Sequence, residues 1–223
     1  MKAWKTFSLI AVVLAASVAV FAQDPVKVDP THYKVLADNP SVRVLSINYA
    51  AGTSSKMHDH PDAIVISLTA AKVRFNTPDG KFTDSDLVKD SAMYSAAGKH
   101  NPTNTGTAAM SALLVEFKGE APGKAVLPAS RPGMTLNVLA EGPRAMAYKS
   151  TAAANFAEPA GTKHDFDQVV IALGPAQMSL AIAGKPARTT WKRGDIEFIG
   201  RGVAHEAKNT GGKPVDMIIV AIK

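Results

Sequence analysis

Three histidines carry most of the chemistry this chain can offer. His58 and His60 stand one residue apart in KMHDHPDAIVISL (56–68), and His100 opens HNPTN further on. In an extended strand, side chains two apart project to the same face, so His58 and His60 point together. Three neutral imidazoles from two neighbouring strands suit a borderline divalent ion and leave positions open for water or a substrate. Asp62 joins them if the strand carries through Pro61, as a fourth ligand or as a partner that orients a histidine. The plainer reading makes His58 and His60 solvated turn residues and His100 a hydrogen-bonded corner.

The remaining chemistry is narrow. Cysteine is absent, which excludes thiol catalysis and any disulfide. There is no G-x-S-x-G elbow and no glycine loop followed by Lys-Ser/Thr, so serine hydrolase and P-loop chemistry fall away. Arg131, Arg144 and Arg201 could meet a carboxylate, although an exposed arginine is the ordinary case. The net charge of +6 is scattered, with nothing denser than Lys192 and Arg193. No basic stripe tracks a phosphate backbone, and nucleic acid is not an expected partner.

The elements that must position these residues are short. VRVLSINYA, AIVISLTA, KVRF, SALLVEF, QVVIAL, MSLAIA, DIEFI and MIIVAI are aliphatic or β-branched runs separated by turn signals such as TPDGK and AGKPA. That pattern predicts strands of a sandwich or barrel, and Asp79-Gly80 marks a hairpin. Only LVKDSAMYSAA has a pattern that also allows a helix. The expected class is all-β.

The chain also repeats. At a shift of 105 residues HNPTNTG (100–106) falls on HEAKNTG (205–211), and AIVISL (63–68) falls on QVVIAL (168–173). His205 and Asn209 thereby reproduce the spacing of His100 and Asn104. GEAPGKAVLPASRPGM between the copies is rich in proline and glycine and lacks periodicity, as a linker does. The expected boundaries are 31–119 for the first unit, 120–135 for the linker and 136–223 for the second.

On these residues the sequence resembles the cupin superfamily, whose motifs are G-x5-H-x-H-x3-4-E-x6-G and G-x5-P-x-G-x2-H-x3-N. GTSSKMHDH (52–60) matches the start of the first. GDIEFIGRGVAH (194–205) with EAKN matches nearly all of the second, with Gly200 at the usual proline. The first unit carries Gly98, His100 and Asn104 of that second motif. The resemblance implies two tandem cupin-type double-stranded β-helix (jelly-roll) barrels, and a metal on His58, His60 and His100. It leaves iron, manganese, nickel, copper and zinc open.

The departures are informative. The motif glutamate of the first unit falls at Ala63 or Ile64, which cannot bind a cation. In GTKHDFDQVVIAL the family spacing puts Thr162 at the first histidine, His164 at the second and Gln168 at the glutamate. His164, Gln168 and His205 therefore form the weaker second site, expected to be degenerate.

Lys2 and Lys5, an uncharged stretch from Phe7 to Val20 and the V-F-A ending before Gln23 read as a secretory signal peptide over 1–22. The expected product is an exported protein, periplasmic or extracellular, with no stable membrane insertion after cleavage. A small-molecule ligand is the expected partner, and the resemblance suggests a homodimer. Two functions fit: a metal-dependent dioxygenase or isomerase, or a non-catalytic ligand-binding module with degenerate metal sites.

Overall fold

The computed structural model describes residues 23–119 and 125–223. The signal peptide expected over 1–22 and the linker segment 120–124 lie outside the described residues. Among the described residues no helix is long and apolar enough to cross a membrane.

Nine strands make the first unit: β1 (Tyr33–Asp38), β2 (Val42–Tyr49), β3 (His58–His60), β4 (Ala63–Ser67), β5 (Ala71–Asn76), β6 (Phe82–Leu87), β7 (Ser91–Ser95), β8 (Gly98–Asn104) and β9 (Met110–Phe117). Eight make the second: β10 (Met134–Glu141), β11 (Ala145–Ala152), β12 (Asp167–Ala172), β13 (Ala176–Ile182), β14 (Lys185–Trp191), β15 (Ile196–Ile199), β16 (His205–Asn209) and β17 (Val215–Ile222). A single-turn helix, α1 (Pro25–Val28), precedes them, capped by the Asp24 carboxylate, which accepts from the Val26 N–H at 2.8 Å.

Each unit is two antiparallel sheets facing one another. The first has the orders β1-β2-β9-β4-β7 and β3-β8-β5-β6, and the second β10-β11-β17-β12-β15 and β14-β13-β16. All eight expected strand runs lie in strands, and LVKDSAMYSAA supplies β7 rather than a helix. The Asp79-Gly80 signal makes the β5–β6 hairpin, where Gly80 takes φ +80 and the Thr77 N–H donates to Lys81 O at 2.9 Å.

Period-two alternation explains why several strands read as unbroken apolar runs. In β4, Ile64 and Ile66 face one way and Ala63 and Val65 the other; in β9, Leu113, Val115 and Phe117 oppose Ala112 and Leu114. One set fills the first barrel. The other packs against Ala145, Ala147, Val169, Ile171, Ile218 and Val220 of the second unit. A strand buried on both faces has no polar face to alternate with. The two barrels therefore share an apolar layer between their five-stranded sheets. At its edge Gly142 meets Tyr94 so closely that a Cβ there would lie 2.0 Å from the ring.

The repeat has a structural cause at its asparagines. Asn104 Nδ2 donates to Ala50 O (3.1 Å) and Ala108 O (2.8 Å), and its Oδ1 accepts from the Gly106 N–H (3.1 Å). Asn209 does the same with Ala153 O (2.8 Å), Lys213 O (2.9 Å) and the Gly211 N–H (3.0 Å). Both are buried, and each satisfies backbone groups that an apolar residue would leave unpaired. Each asparagine anchors the end of the strand that carries a histidine, His100 on β8 and His205 on β16.

Candidate metal centre

The first barrel gathers its three histidines. His58 and His60 are the two inward residues of β3, and His58 pairs in register with His100 on β8. The rings of His58 and His100 stand 5.1 Å apart and those of His60 and His100 4.8 Å, centroid to centroid. Burial, reinforced by the neighbouring rings His60 and His58, pushes the His100 imidazole down to about 3, and burial also lowers His58. At neutral pH both rings carry lone pairs rather than charge.

Other groups already use some of those lone pairs. His58 Nδ1–H donates to Lys56 O at 2.8 Å, so Nε2 is the acceptor, and the Tyr33 hydroxyl donates to it at 3.2 Å. Tyr33 is bonded in turn to the Tyr49 hydroxyl at 2.6 Å, deep in the barrel. His60 Nδ1–H donates to Pro61 O at 2.7 Å. Asp62 turns toward the β7–β8 connection, where its Oδ1 accepts from the Ala97 N–H at 2.7 Å.

The second barrel brings a tighter group together. Among the described residues, Glu158, His164 and His205 are the set of three or more His, Cys, Asp or Glu whose ligand atoms all lie within 4.8 Å of one another. Main-chain bonds build this corner. Thr162 bridges His205 as His58 pairs with His100, through the His205 N–H and Thr162 O at 2.9 Å. The Gly202 N–H donates to His164 O at 2.9 Å, and the Glu158 N–H donates to Ala207 O at 2.8 Å, fixing the glutamate against β16.

The polar groups of this corner face one another. His205 Nδ1–H donates to Val203 O at 3.3 Å, which leaves Nε2 facing Glu158 Oε2 at 3.5 Å. That separation puts a ring nitrogen and a carboxylate oxygen where they can share a proton or a metal ion. The other oxygen of Glu158 is paired with Arg131, which also lies 3.4 Å from the Thr162 hydroxyl. Burial, with His205 and Arg131 adding to it, pushes His164 down to about 4, so it too is a neutral donor at pH 7. Two imidazoles and a carboxylate are the donors that zinc, manganese or iron take.

Around these groups lies a narrow cavity of about 70 Å³. Gln168, 3% exposed on β12, lines it beside the cluster, while Phe156, Met134, Met178, Leu180 and Trp191 make the wall apolar. Tyr148 reaches the same space, and burial with the nearby Glu158 charge raises its phenol pKa, so it stays neutral.

His164, Gln168 and His205 line one cavity together with Glu158, which has no place in either motif. The available clue was a carboxylate in the EPAGT turn just before Thr162, where the first ligand is missing. Of the three arginines considered for a carboxylate, Arg131 enters the cavity. Arg144 donates to Lys118 O, and the Arg201 N–H donates to Asp167.

No protein-family profile matches the sequence, and no curated protein matches it. Solved structures do. A cupin 2 conserved barrel domain protein from Leptotrichia buccalis superposes with a TM-score of 0.57 at 10% identity, covering 86% of this chain and 88% of that one. The chain has the two-barrel cupin fold. AerE from Microcystis aeruginosa is similar over 86% of this chain and 97% of its own, with a TM-score of 0.66 and 13% identity. Bacillus subtilis oxalate decarboxylase, a protein with Mn(II) centres, gives 0.59 at 12% identity over 83% and 70%. At these identities the likeness is one of cupin architecture, and the chemistry must be argued from this chain's own residues.

Proposed function

We propose that the protein is an exported cupin whose second barrel holds one divalent transition metal through Glu158, His164 and His205, with Gln168 beside them. The ion would serve a small molecule taken into the apolar interior. The observation that carries this reading is the convergence of Glu158, His164 and His205, whose ligand atoms all lie within 4.8 Å of one another. Bound there, the ion would supply a Lewis acid that polarises an oxygen of the ligand.

The chain's own residues do the rest. Arg131 pairs with Glu158 and fixes its orientation. The Val203 carbonyl holds the His205 ring with Nε2 toward the site. The walls of Phe156, Leu180 and Trp191 exclude water and strengthen every charge interaction inside. Tyr148 and Gln168 offer neutral polar contacts to a bound molecule.

A dioxygenase or isomerase is the catalytic form of this proposal, and a non-catalytic ligand-binding module is its alternative. Turnover of a phenolic, sugar and keto-acid panel that depends on added Fe(II) or Mn(II), and is lost in Glu158→Ala, supports the enzyme. Saturable binding of a panel member without turnover supports the module. An ion on His58, His60 and His100 is the second reading. Their rings neighbour one another on β3 and β8, but an ion there requires the ligand atoms to draw closer and Tyr33 to release His58.

A further inference from the structure

Asp59, the outward residue between His58 and His60, takes no part in either histidine cluster, yet it makes a specific contact. Its Oδ2 accepts from the backbone N–H of Gln23 at 3.1 Å, and its own N–H donates to Gln23 O at 2.9 Å. Residue 23 is thus clipped to β3 by a reciprocal pair of bonds. The carboxylate is left half used: Oδ1 is buried with no hydrogen-bond partner, and Lys99 Nζ approaches it only to 3.9 Å. A peptide nitrogen has one hydrogen to give, whereas an α-ammonium has three and a positive charge. The sequence puts the V-F-A end of an apolar leader immediately before this nitrogen. From Asp24 onward the chain is tied down independently, by the α1 cap and by Arg43, which pairs with Asp24 at 2.6 Å.

We propose that Asp59 is the receptor for a processed N-terminus created at Gln23. Water adds across the Ala22–Gln23 peptide bond: its oxygen goes to Ala22, which leaves as a carboxylate, and both of its hydrogens go to the Gln23 nitrogen, which becomes an ammonium. That group binds both oxygens of Asp59, so removal of the leader completes a charge pair at the mouth of the first barrel. The inference rests on cleavage after residue 22 and is independent of any metal.

The test uses the full chain, untagged, produced with its own leader in a secreting bacterial host. Intact mass of the exported protein should give a chain beginning at Gln23 with a free amine. Asp59→Asn, and a separate variant with one serine inserted before Gln23, should each lower Tm by about 2 °C, as loss of a partly exposed ion pair does in a chain of this size. Combined, they should cost no more than either alone. A chain that begins elsewhere, a Gln23 cyclised with loss of ammonia and of its charge, or penalties that add independently would overturn the proposal.

Discussion

Replacing Arg131 by methionine tests whether Glu158 is held ready for a cation. Glu158 has a side chain only 9% exposed, and Arg131 is the basic partner that compensates its charge. Removing one partner of a fully buried ion pair costs about 3–5 kcal/mol. Arg131 keeps 24% exposure and Glu158 also faces His205, so solvent and the imidazole relieve part of that cost. A loss of about 2 kcal/mol remains, which for a chain of this length lowers Tm by roughly 4–8 °C. An ion bound to Glu158 would supply the missing positive charge. Thermal denaturation of wild type and Arg131→Met, each with excess Mn(II) and with EDTA, reads the coupling. The penalty should be full in EDTA and shrink by more than half with the ion. Equal penalties in both conditions would refute the reasoning, because Glu158 would then have no cation to gain.

Three further outcomes follow from the same geometry. Tyr33→Phe strands His58 Nε2 and the Tyr49 hydroxyl in the first barrel, so urea denaturation should show a loss of about 1–3 kcal/mol; a neutral variant would mean that hydroxyl chain is not formed. Gly142→Ala drives a methyl into the Tyr94 ring between the barrels and should cost about 1–3 kcal/mol with an unchanged m-value, whereas an unaffected midpoint would contradict the packing. His100 and His164 are depressed to about 3 and about 4 from 6.5, so between those values and 6.5 the unfolded metal-free chain binds protons that the folded chain refuses. Their contribution is complete above about pH 6.5 and is lost as pH falls toward 4, at up to about 1.4 kcal/mol per pH unit for each ring. A His100→Asn variant with the same slope as wild type would contradict this.

Much of the architecture is legible in the sequence because its causes are local. Short apolar runs between Pro, Gly and Asp-Gly turns specify strands, and the paired Asn104 and Asn209 record a repeated corner that needs the same side-chain bonds twice. The register of Thr162 opposite His205 also follows from motif spacing. The balance between the two sites does not. His58 is a good ligand by spacing, but its Nε2 meets Tyr33, twenty-five residues earlier, and only the closed barrel makes them neighbours. Glu158 lies outside any motif position and reaches the cavity because its backbone pairs with Ala207 on β16. Spacing along one strand can be read from a sequence, whereas a ligand delivered by a loop across a barrel cannot. Tyr94 illustrates the same limit: on β7 it packs against Gly142 in the layer between the barrels, a contact between residues forty-eight apart in the chain.

The most direct measurement is elemental analysis of the exported, untagged protein purified without added metal, repeated on Glu158→Ala, His205→Ala and His100→Ala. The account predicts about one divalent transition metal ion per chain in the parent and in His100→Ala, and none in the two second-barrel variants. An ion retained by Glu158→Ala and His205→Ala but lost from His100→Ala would contradict it and move the centre to the first barrel.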